Sequence, residues 1–445
     1  MQTYQDKSDE IIQRICECGW SAYLCGGAVR DHFLEVEAHD YDLVTDATPD
    51  ILKQIFPDRK VNLVGANFLV TLIDDIEVST YRSDKNFENG RHNCITSICS
   101  TLQEDLERRD FTFNAMAVCP YLGEVIDPFH GKKDLENKLV KFVGNPYKRI
   151  NEDYVRILRA ARFTCLIEGQ LDNAAFNAIR DCKELVKQIA PERIRLELLK
   201  VMKYKKPSIF FDVLQRTGVL KVLIPEFDRL YHHTGGKYHS ETLDMHSLLA
   251  GNELSAKTPL LRLIGYFHDI GKPVVYDGEN FIDHEKVGAD IIENIFSRFK
   301  FTNDEIEKAK NLVKFHMRSI SNDISDKAIR RMIKTFSDNN VNWKEWLQIK
   351  IADRKANLAL DDYTKEHIKM IILKIHNSKK LTTSGEFKVT DLDINGNDVM
   401  TLLNIKPGPQ VGEILKYLLE QVIENPELNK KENLFELIKG EFIIG

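Results

Sequence analysis

Two carboxylates and two glycines near the N-terminus have the residue types and spacing that nucleotide chemistry requires. Gly26 and Gly27 stand between a predicted strand and a predicted helix, where backbone N–H groups can approach phosphate oxygens closely. Arg30 follows one turn into that helix, within reach of the same phosphates. Asp40 and Asp42 alternate along the next predicted strand and therefore project from the same face. We predict that they bind Mg²⁺ for phosphoryl transfer.

Each of these features alone has an ordinary structural explanation. Most Gly-Gly turns are only turns, and an Asp-x-Asp pair often belongs to a solvated edge strand. The succession of turn and carboxylate pair favours a nucleotide site. Two bound ions would activate an attacking RNA 3′-hydroxyl and neutralise charge on the triphosphate and the leaving pyrophosphate.

The order of several further motifs resembles the class II tRNA nucleotidyltransferases and the bacterial poly(A) polymerases. The matching stretches are, in order, 26–31 (GGAVRD), 40–42 (DYD), 108–117 (RRDFTFNAMA), 127–131 (DPFHG) and 152–163 (EDYVRILRAARF). The sequence departs from the family at Glu35, where glycine is usual, and at Asn93, where proline is usual. Both lie outside the charged positions. Within the family, the chain most resembles CCA-adding enzymes of the bacterial type that carry an HD domain.

The resemblance implies roles for further residues and names the substrates. Arg109 and Asp110 would contact the phosphate and the sugar of the nucleotide. Glu77 would be a third acidic group, although an exposed strand glutamate is the commoner explanation. The resemblance also implies Mg²⁺ in the head, CTP and ATP as substrates, and tRNA as the partner. The implied activity is template-free addition of C, C and then A to the tRNA 3′ end.

Four charged residues recur every three positions on one predicted helix: Asp153, Arg156, Arg159 and Arg162. A carboxylate accepts from the exocyclic amine of cytosine or adenine, and a guanidinium donates to the neighbouring ring nitrogen. Uracil and guanine present the inverted pattern, which costs roughly 1–3 kcal/mol per unpaired buried group. We predict that Asp153 and Arg156 select the base while the other two hold the triphosphate or the helix. A structural Asp–Arg pair is the alternative.

A long polar segment, residues 82–100, bears on which activity within the family applies. In the family, a loop of this kind is needed for adding adenosine, so its presence favours complete CCA addition. The basic signature of poly(A) polymerases is not found around residues 65–71. An enzyme that adds only the terminal A, a poly(A) polymerase, an RNA-binding hydrolase and a non-catalytic tRNA chaperone are the alternatives.

A second set of residues has the types and order of a metal centre. Its members suit a divalent transition metal or Mg²⁺ and lie on separate predicted helices; they are His246, His268, Asp269, His284, His316 and Asp353. The run 267–272 (FHDIGK) resembles the HD phosphohydrolase superfamily, which implies hydrolysis of phosphoesters such as 2′,3′-cyclic phosphates at RNA ends. A centre that keeps its ligands but only stabilises the domain is the alternative.

These sites require several domains, because 445 residues exceed one compact core. We predict an α+β fold in which a small mixed-sheet nucleotidyltransferase head precedes mostly helical domains. The predicted ranges are 1–146 for the head, 147–230 for a helical neck, 231–365 for the HD domain and 366–445 for a tail. Strands are predicted over 21–25, 41–45, 69–73 and 76–81, and a helix start at Thr48-Pro49.

Composition and charge limit the partners. The net charge is −6, yet residues 141–206 hold 15 Lys and Arg against 8 Asp and Glu. This local surplus predicts a surface for tRNA phosphates, with solvated helix faces as an equal alternative. Eight cysteines without CxxC pairs and a polar N-terminus favour free thiols and a cytoplasmic location. No apolar run is long enough for a membrane, and DNA is not expected as a partner.

Overall fold

The computed structural model describes residues 3–38, 41–64, 69–85, 95–234, 240–321, 323–380 and 387–442. The chain forms two compact units, residues 1–228 and 229–445. The α+β prediction is confirmed, since the first unit contains a mixed sheet and the described part of the second is helical. The boundaries of the four domains stay predictions. Asp40 lies outside the described residues, as do residues 86–94 of the polar segment.

The strands all lie in the first unit of the described chain. They are β1 Ala22–Cys25, β2 Asp42–Thr45, β3 Val61–Val64, β4 Val70–Ile73, β5 Ile76–Thr80, β6 Arg82–Lys85, β7 Ile95–Ile98, β8 Ala117–Cys119, β9 Glu124–Ile126, β10 Leu139–Val140 and β11 Gln170–Leu171. Seven of them form one sheet in the order β3-β4-β5-β2-β1-β8-β9. Only β2 and β5 pair in parallel in this sheet; the other neighbours are antiparallel.

The helices of the first unit are α1 Tyr4–Glu17, α2 Gly27–Phe33, α3 Pro49–Ile55, α4 Leu102–Glu107, α5 Gly131–Glu136, α6 Pro146–Glu152, α7 Arg156–Leu166, α8 Asn173–Asp181, α9 Pro191–Val201, α10 Ser208–Arg216, α11 Val219–Leu223 and α12 Pro225–Asp228. Those of the second unit are α13 Leu243–Glu253, α14 Pro259–Phe267, α15 Lys272–Val275, α16 His284–Arg298, α17 Asn303–Phe315, α18 Asp326–Asp338, α19 Trp343–Ala356, α20 Lys365–Lys380, α21 Gly396–Leu403, α22 Pro409–Glu424 and α23 Lys431–Phe442. No described helix combines the length and the apolar character that crossing a membrane would need.

The alternation of side chains along β2 places its residues in two cores. Leu43 belongs to a buried cluster with apolar residues of α1 and α3, whereas Val44 belongs to a second cluster with Leu106 of α4. Asp42 precedes them and is exposed. Because side chains two residues apart share a face, Asp42 lies on the side of Val44 and of α4. The sheet therefore directs this carboxylate toward the segment that carries Arg108 and Arg109.

The predicted head elements form close to the predicted positions. The strands β1, β2 and β4 each begin one residue later than predicted, and β5 ends one residue earlier, at Thr80. Thr48 is the N-cap of α3 and Pro49 its first residue, as predicted, although the Thr48 side chain makes no capping hydrogen bond. These short-range patterns are decided by backbone preferences that act within a few residues.

Candidate active site and metal centre

Gly26 makes the turn from β1 into α2 and brings two charged side chains together. Its φ is +71°, a conformation that glycine adopts readily. A Cβ atom here would lie 3.0 Å from Nη1 of Arg109 and 3.8 Å from Oδ2 of Asp42. The backbone of the turn therefore passes close to both a guanidinium and a carboxylate. A side chain at this position would fill the space between them.

Asp42 has an acidic neighbour on the adjacent parallel strand. The register pairs Leu43 with Val78, so the preceding residues, Asp42 and Glu77, are neighbours as well. Both residues are exposed and line the same cleft. Carboxylate oxygens are ligands that Mg²⁺ prefers. Two carboxylates from adjacent strands at an open cleft fit a divalent cation.

The cleft has a volume of about 910 Å³ and is lined by all the predicted head-site residues that the structure describes. They are Gly26, Gly27, Arg30, Asp42, Glu77, Arg109, Asp110, Asp153, Arg156, Arg159 and Arg162. They come from the turn between β1 and α2, from α2, β2 and β5, from the segment after α4, and from α7 with the residues before it. The tertiary fold thus joins parts of the chain more than a hundred residues apart into one strongly basic cavity.

A buried carboxylate positions the arginines that follow α4. Asp105 has no exposed side-chain surface and lies 2.7 Å from Nη2 of Arg108 and 3.1 Å from Nη2 of Arg109. It also accepts the N–H of Arg82, at the start of β6, at 3.2 Å. Burial alone would raise the pKa of Asp105, but Arg108 and Arg109 lower it below its ordinary value. The carboxylate therefore stays charged and fixes both guanidinium groups.

Asp110 is bound by protein donors inside the cleft. Its Oδ2 lies 2.5 Å from Nη2 of Arg159, and its Oδ1 accepts from Nδ2 of Asn114 at 3.0 Å. Oδ1 of Asn114 in turn accepts from Nη1 of Arg30 at 2.9 Å. Desolvation opposes ionisation of Asp110, but Arg159 and Asn114 outweigh it and lower the pKa to about 2. Asp110 is therefore an ionised anchor for Arg159.

The prediction that Asp153 shares a helix with Arg156 is wrong. Helix α6 ends at Glu152, α7 begins at Arg156, and Asp153 is extended between them with φ −155° and ψ 105°. The carboxylate of Asp153 is held in a two-pronged pair by Arg193 of α9, at 2.9 and 2.8 Å. Arg156 instead pairs with Glu152 at 2.6 Å. The break in the helix turns Asp153 into the cleft, and a distant helix fixes it there.

Helix α9 and the residues after it supply cleft residues that the sequence reasoning missed, namely Arg193, Lys200 and Tyr204. Glu197 accepts from Nε of Arg162 at 2.6 Å, and the hydroxyl of Tyr204 accepts from Nη1 of the same arginine at 2.7 Å. Arg193, Glu197 and Lys200 of α9 also follow the 3–4 spacing of a single helix face. That spacing was a signal that could have indicated a charged face turned toward the site.

The six residues predicted for the second site converge in the second unit. Asp269 is central and buried: its Oδ1 lies 3.2 Å from Nε2 of His284 and 3.4 Å from that of His316. Its Oδ2 lies 3.5 Å from Nε2 of His246 and 3.4 Å from that of His268. Oδ1 of Asp353 is 3.1 Å from Nε2 of His246 and 3.6 Å from Nε2 of His268.

The other ring nitrogens of the histidines fix their tautomers. Nδ1 of His268 donates to the carbonyl oxygen of Gly265 at 2.8 Å, and Nδ1 of His284 donates to that of Phe281 at 2.8 Å. Nδ1 of His316 donates to the carbonyl oxygen of Val313 at 2.6 Å. Because a carbonyl oxygen can only accept, these Nδ1 atoms carry hydrogen and the Nε2 lone pairs face the centre. That is the orientation in which imidazole binds a metal.

Two such nitrogens also lie close to each other. Nε2 of His284 lies 3.3 Å from Nε2 of His316. Two lone pairs at this distance repel unless a cation or a proton lies between them. Burial lowers the pKa of His316 to about 4, whereas Asp269 and Asp353 outweigh burial at His268 and raise its pKa to about 10. Imidazoles and carboxylates that converge in this way fit a divalent metal.

A glycine allows the two halves of this cluster to meet. A Cβ atom on Gly271 would lie 2.1 Å from the carbonyl oxygen of His284 and 2.6 Å from the backbone N of Gly288. The chain that follows Asp269 can therefore pack directly on the first turn of α16 only because residue 271 has no side chain. Lys272, the next residue, reaches Asp269 at 2.6 Å.

Three protein-family models match the chain. The Poly A polymerase head domain matches residues 22–141, the RNA and SrmB-binding site of polymerase A matches 170–231, and tRNA nucleotidyltransferase domain 2 matches 281–438. The first range contains β2, β5 and the segment after α4, which carry Asp42, Glu77 and Arg109 of the cleft. The second contains α9 and Tyr204.

Whole-chain relatives and solved structures share this organisation. A CCA-adding enzyme of Limosilactobacillus reuteri is 29% identical over 440 residues, covering 96% of this chain and 95% of the relative. The fold is similar to that of the Bacillus stearothermophilus CCA-adding enzyme in complex with CTP, with a TM-score of 0.71, 22% identity and coverage of 99% and 98%. It is also similar to the Thermotoga maritima CCA-adding enzyme complexed with tRNA-CCA, with a TM-score of 0.60, 19% identity and coverage of 98% and 95%.

The Arg162–Glu197 pair predicts a stability effect. Both side chains are buried, with 8% and 6% of their surface exposed. We expect Glu197→Gln to lower the free energy of unfolding by about 3–5 kcal/mol, because it leaves a buried guanidinium without its carboxylate. Urea-induced unfolding followed by circular dichroism measures this. The matched control is Glu184→Gln, which removes an exposed carboxylate paired with Lys187 and should leave the midpoint nearly unchanged. Equal midpoints for Glu197→Gln and wild type would contradict the anchoring role.

Proposed function

The chain belongs to the family of CCA-adding tRNA nucleotidyltransferases, and on that basis we propose that it adds C, C and A to the 3′ end of tRNA from CTP and ATP. In this reaction the RNA 3′-hydroxyl attacks the α-phosphate, a phosphodiester forms, and pyrophosphate leaves. The observation that carries the proposal is the single cleft in which Asp42 and Glu77 face a group of anchored arginines. The alternatives are an enzyme that adds only A and a poly(A) polymerase.

The residues of the cleft divide into an acidic and a basic side. Asp42 and Glu77 would hold Mg²⁺, with Asp40 as the predicted partner of Asp42. Bound there, Mg²⁺ would neutralise charge on the triphosphate and assist deprotonation of the RNA hydroxyl. Arg109 and Arg159, each fixed by a buried carboxylate, would bind phosphate oxygens in a defined orientation.

Asp153 and Arg156 retain the bonding capacity that base selection requires. A carboxylate has about four acceptor positions, and the described contacts of Asp153 use three, from both Nη atoms of Arg193 and from the N–H of Val155. One position on Oδ2 is left for an exocyclic amine. Arg156 donates through Nη1 to Glu152 and the Arg149 carbonyl, and through Nη2 to the Arg108 carbonyl. Its Nε–H and one Nη2–H are left, among the described contacts, for a ring nitrogen.

The RNA would lie along the basic part of the first unit through phosphate contacts. Lys200 and Lys203 line the cleft itself. Lys205 and Lys206 follow in sequence, with 77% and 54% of their side chains exposed and both paired with Glu168. Cations that line the cleft, followed along the chain by exposed cations, suit an RNA whose 3′ end enters the cleft.

The carboxylate Asp42 provides the main test. We expect Asp42→Asn to lower nucleotide incorporation about 10³-fold or more, because several kcal/mol of charge stabilisation is lost with one ligand. The assay offers tRNA lacking its last three nucleotides to each NTP separately and together, and sequences the 3′ ends. Wild type should add CCA and nothing further.

The same assay separates the alternatives. Processive tails on a generic RNA with ATP, without use of CTP, would show a poly(A) polymerase. Addition of A only to tRNA already ending in CC would show an A-adding enzyme. The matched control is Asp50→Asn, which changes an exposed carboxylate in the first turn of α3, with 88% of its side chain exposed. It should retain wild-type incorporation.

Base selection gives a second prediction. We expect Asp153→Ala to lower the preference for CTP over UTP about 5–150-fold, which corresponds to about 1–3 kcal/mol for one unpaired polar group. Competition between labelled CTP and UTP on tRNA lacking its CCA end measures the ratio. Glu168→Gln is the control, since it removes a carboxylate at the end of α7 that pairs with Lys205 and Lys206. An unchanged ratio together with weaker binding of all four nucleotides would assign Asp153 a structural role only.

We also propose that the second unit is an HD-type phosphohydrolase that uses a divalent metal. The observation that favours it is the convergence of four Nε2 atoms on Asp269 and Asp353. A metal bound there would supply an activated water for attack on a phosphoester. Lys272 and Lys350, each paired with one of these aspartates, add positive charge that suits a phosphate group.

The hydrolase proposal predicts metal-dependent turnover. Protein stripped by a chelator and reloaded with Mn²⁺ or Ni²⁺ should hydrolyse a nucleoside 2′,3′-cyclic phosphate. We expect Asp269→Asn to abolish this activity, because one carboxylate contacts all four histidines. The control is Asp290→Asn, at an exposed position of α16. If metal raises the melting temperature of wild type but no hydrolysis follows, the centre only stabilises the domain.

A further inference from the structure

We propose that Glu241 is a positioning residue of the metal centre, and this inference rests on the metal centre proposed above. Glu241 stands just before α13 and is not one of the six predicted ligands. One of its carboxylate oxygens holds the ring of His246, and the other holds the backbone beyond Asp353. It thereby fixes two ligands that come from different helices.

The first contact concerns the orientation of His246. Oε1 of Glu241 lies 3.0 Å from Nδ1 of His246, and neither side chain has exposed surface. The other three histidines donate from Nδ1 to backbone carbonyl oxygens three residues earlier in the chain. His246 depends instead on a carboxylate side chain. With Nδ1–H donated to Glu241, its Nε2 lone pair points toward Asp353, 3.1 Å away.

The second contact concerns the end of α19. Oε2 of Glu241 accepts the N–H of Leu358 at 3.0 Å. Helix α19 ends at Ala356, three residues after Asp353, so this bond holds the chain directly after the helix that carries the ligand. A single buried carboxylate therefore links the start of α13 to the end of α19, the two helices that present His246 and Asp353.

The charge of Glu241 adds to this geometric role. A carboxylate that accepts from Nδ1 increases the basicity of the opposite nitrogen and so strengthens its bond to a metal. A glutamine in the same place would have the same size and would keep one acceptor oxygen. Because its amide is neutral, it would not increase the basicity of His246. Partners of this kind change metal affinity about 10–100-fold when they are replaced.

The test measures the affinity for Co²⁺ in the full-length chain, since the visible absorption of Co²⁺ reports ligation by histidine. All proteins carry Asp42→Asn so that the head carboxylates do not compete for the ion. We expect Glu241→Gln to raise the Kd for Co²⁺ about 10–100-fold relative to the parent. Glu241→Ala should raise it further, because alanine accepts from neither His246 nor Leu358.

The matched control is Glu253→Gln. Glu253 also joins α13 to α19, through Lys355 at 2.8 Å, but its partner is a lysine and half its surface is exposed. It should leave the Kd for Co²⁺ and the Co²⁺ spectrum unchanged. Melting temperatures of the metal-free proteins show whether Glu241→Gln is folded before the titration begins, and a retained metal-free melting temperature with weakened Co²⁺ binding supports the proposal.

Three outcomes would overturn the inference in different ways. If the parent shows no histidine-ligated Co²⁺ spectrum, the metal centre itself is wrong. If the parent binds Co²⁺ and Glu241→Gln binds it with the same Kd, the centre stands but Glu241 does not position it. If Glu241→Gln lowers the metal-free melting temperature and leaves the Kd unchanged, its role is confined to folding.

Discussion

Buried carboxylates hold the arginines of the cleft in place, and the nucleotide site depends on this pairing. A guanidinium that is to meet a triphosphate must be desolvated and oriented, which is costly without a fixed counter-charge behind it. The pairs are Asp105 with Arg108 and Arg109, Asp110 with Arg159, Glu152 with Arg149 and Arg156, Asp153 with Arg193, and Glu197 with Arg162. All of these arginines except Arg149 line the cavity. The proposed nucleotide site would therefore be preorganised.

The histidines of the proposed metal centre in the second unit also depend on partners that fix their orientation. An imidazole can point a lone pair at a metal only if its other nitrogen has a partner for its hydrogen. Backbone carbonyls of Gly265, Phe281 and Val313 provide that partner for three histidines. Each of these histidines stands at a helix end or follows a turn, and the carbonyl oxygens of Phe281 and Val313 also accept the backbone N–H of the same histidine. His246 lies inside α13, and its Nδ1 is served by Glu241.

The two sites differ in the charges of the side chains that surround them. In the first unit, a small acidic group lies opposite many fixed cations, which suits a nucleoside triphosphate carrying Mg²⁺. In the second, carboxylates and imidazole Nε2 atoms converge beside Lys272 and Lys350, and the proposed metal would supply the further positive charge that a phosphate needs. The two proposed activities would both act on phosphate groups, each with its own source of positive charge.

The sequence by itself determined the features that depend on neighbours along the chain. The alternation of side chains along a strand determined the direction of the Asp42 side chain, and Gly26 and Gly27 determined the turn that leads from β1 into α2. The adjacent residues His268 and Asp269 identified two of the ligands of the proposed metal centre. Only the tertiary structure decided that Arg193 holds Asp153 and that Glu241 holds His246. Helical periodicity even misplaced Asp153, since the buried pair with α9 stabilises an extended residue where local propensity favours helix. Local patterns specify which way a side chain points, whereas its partner is set by packing between distant segments.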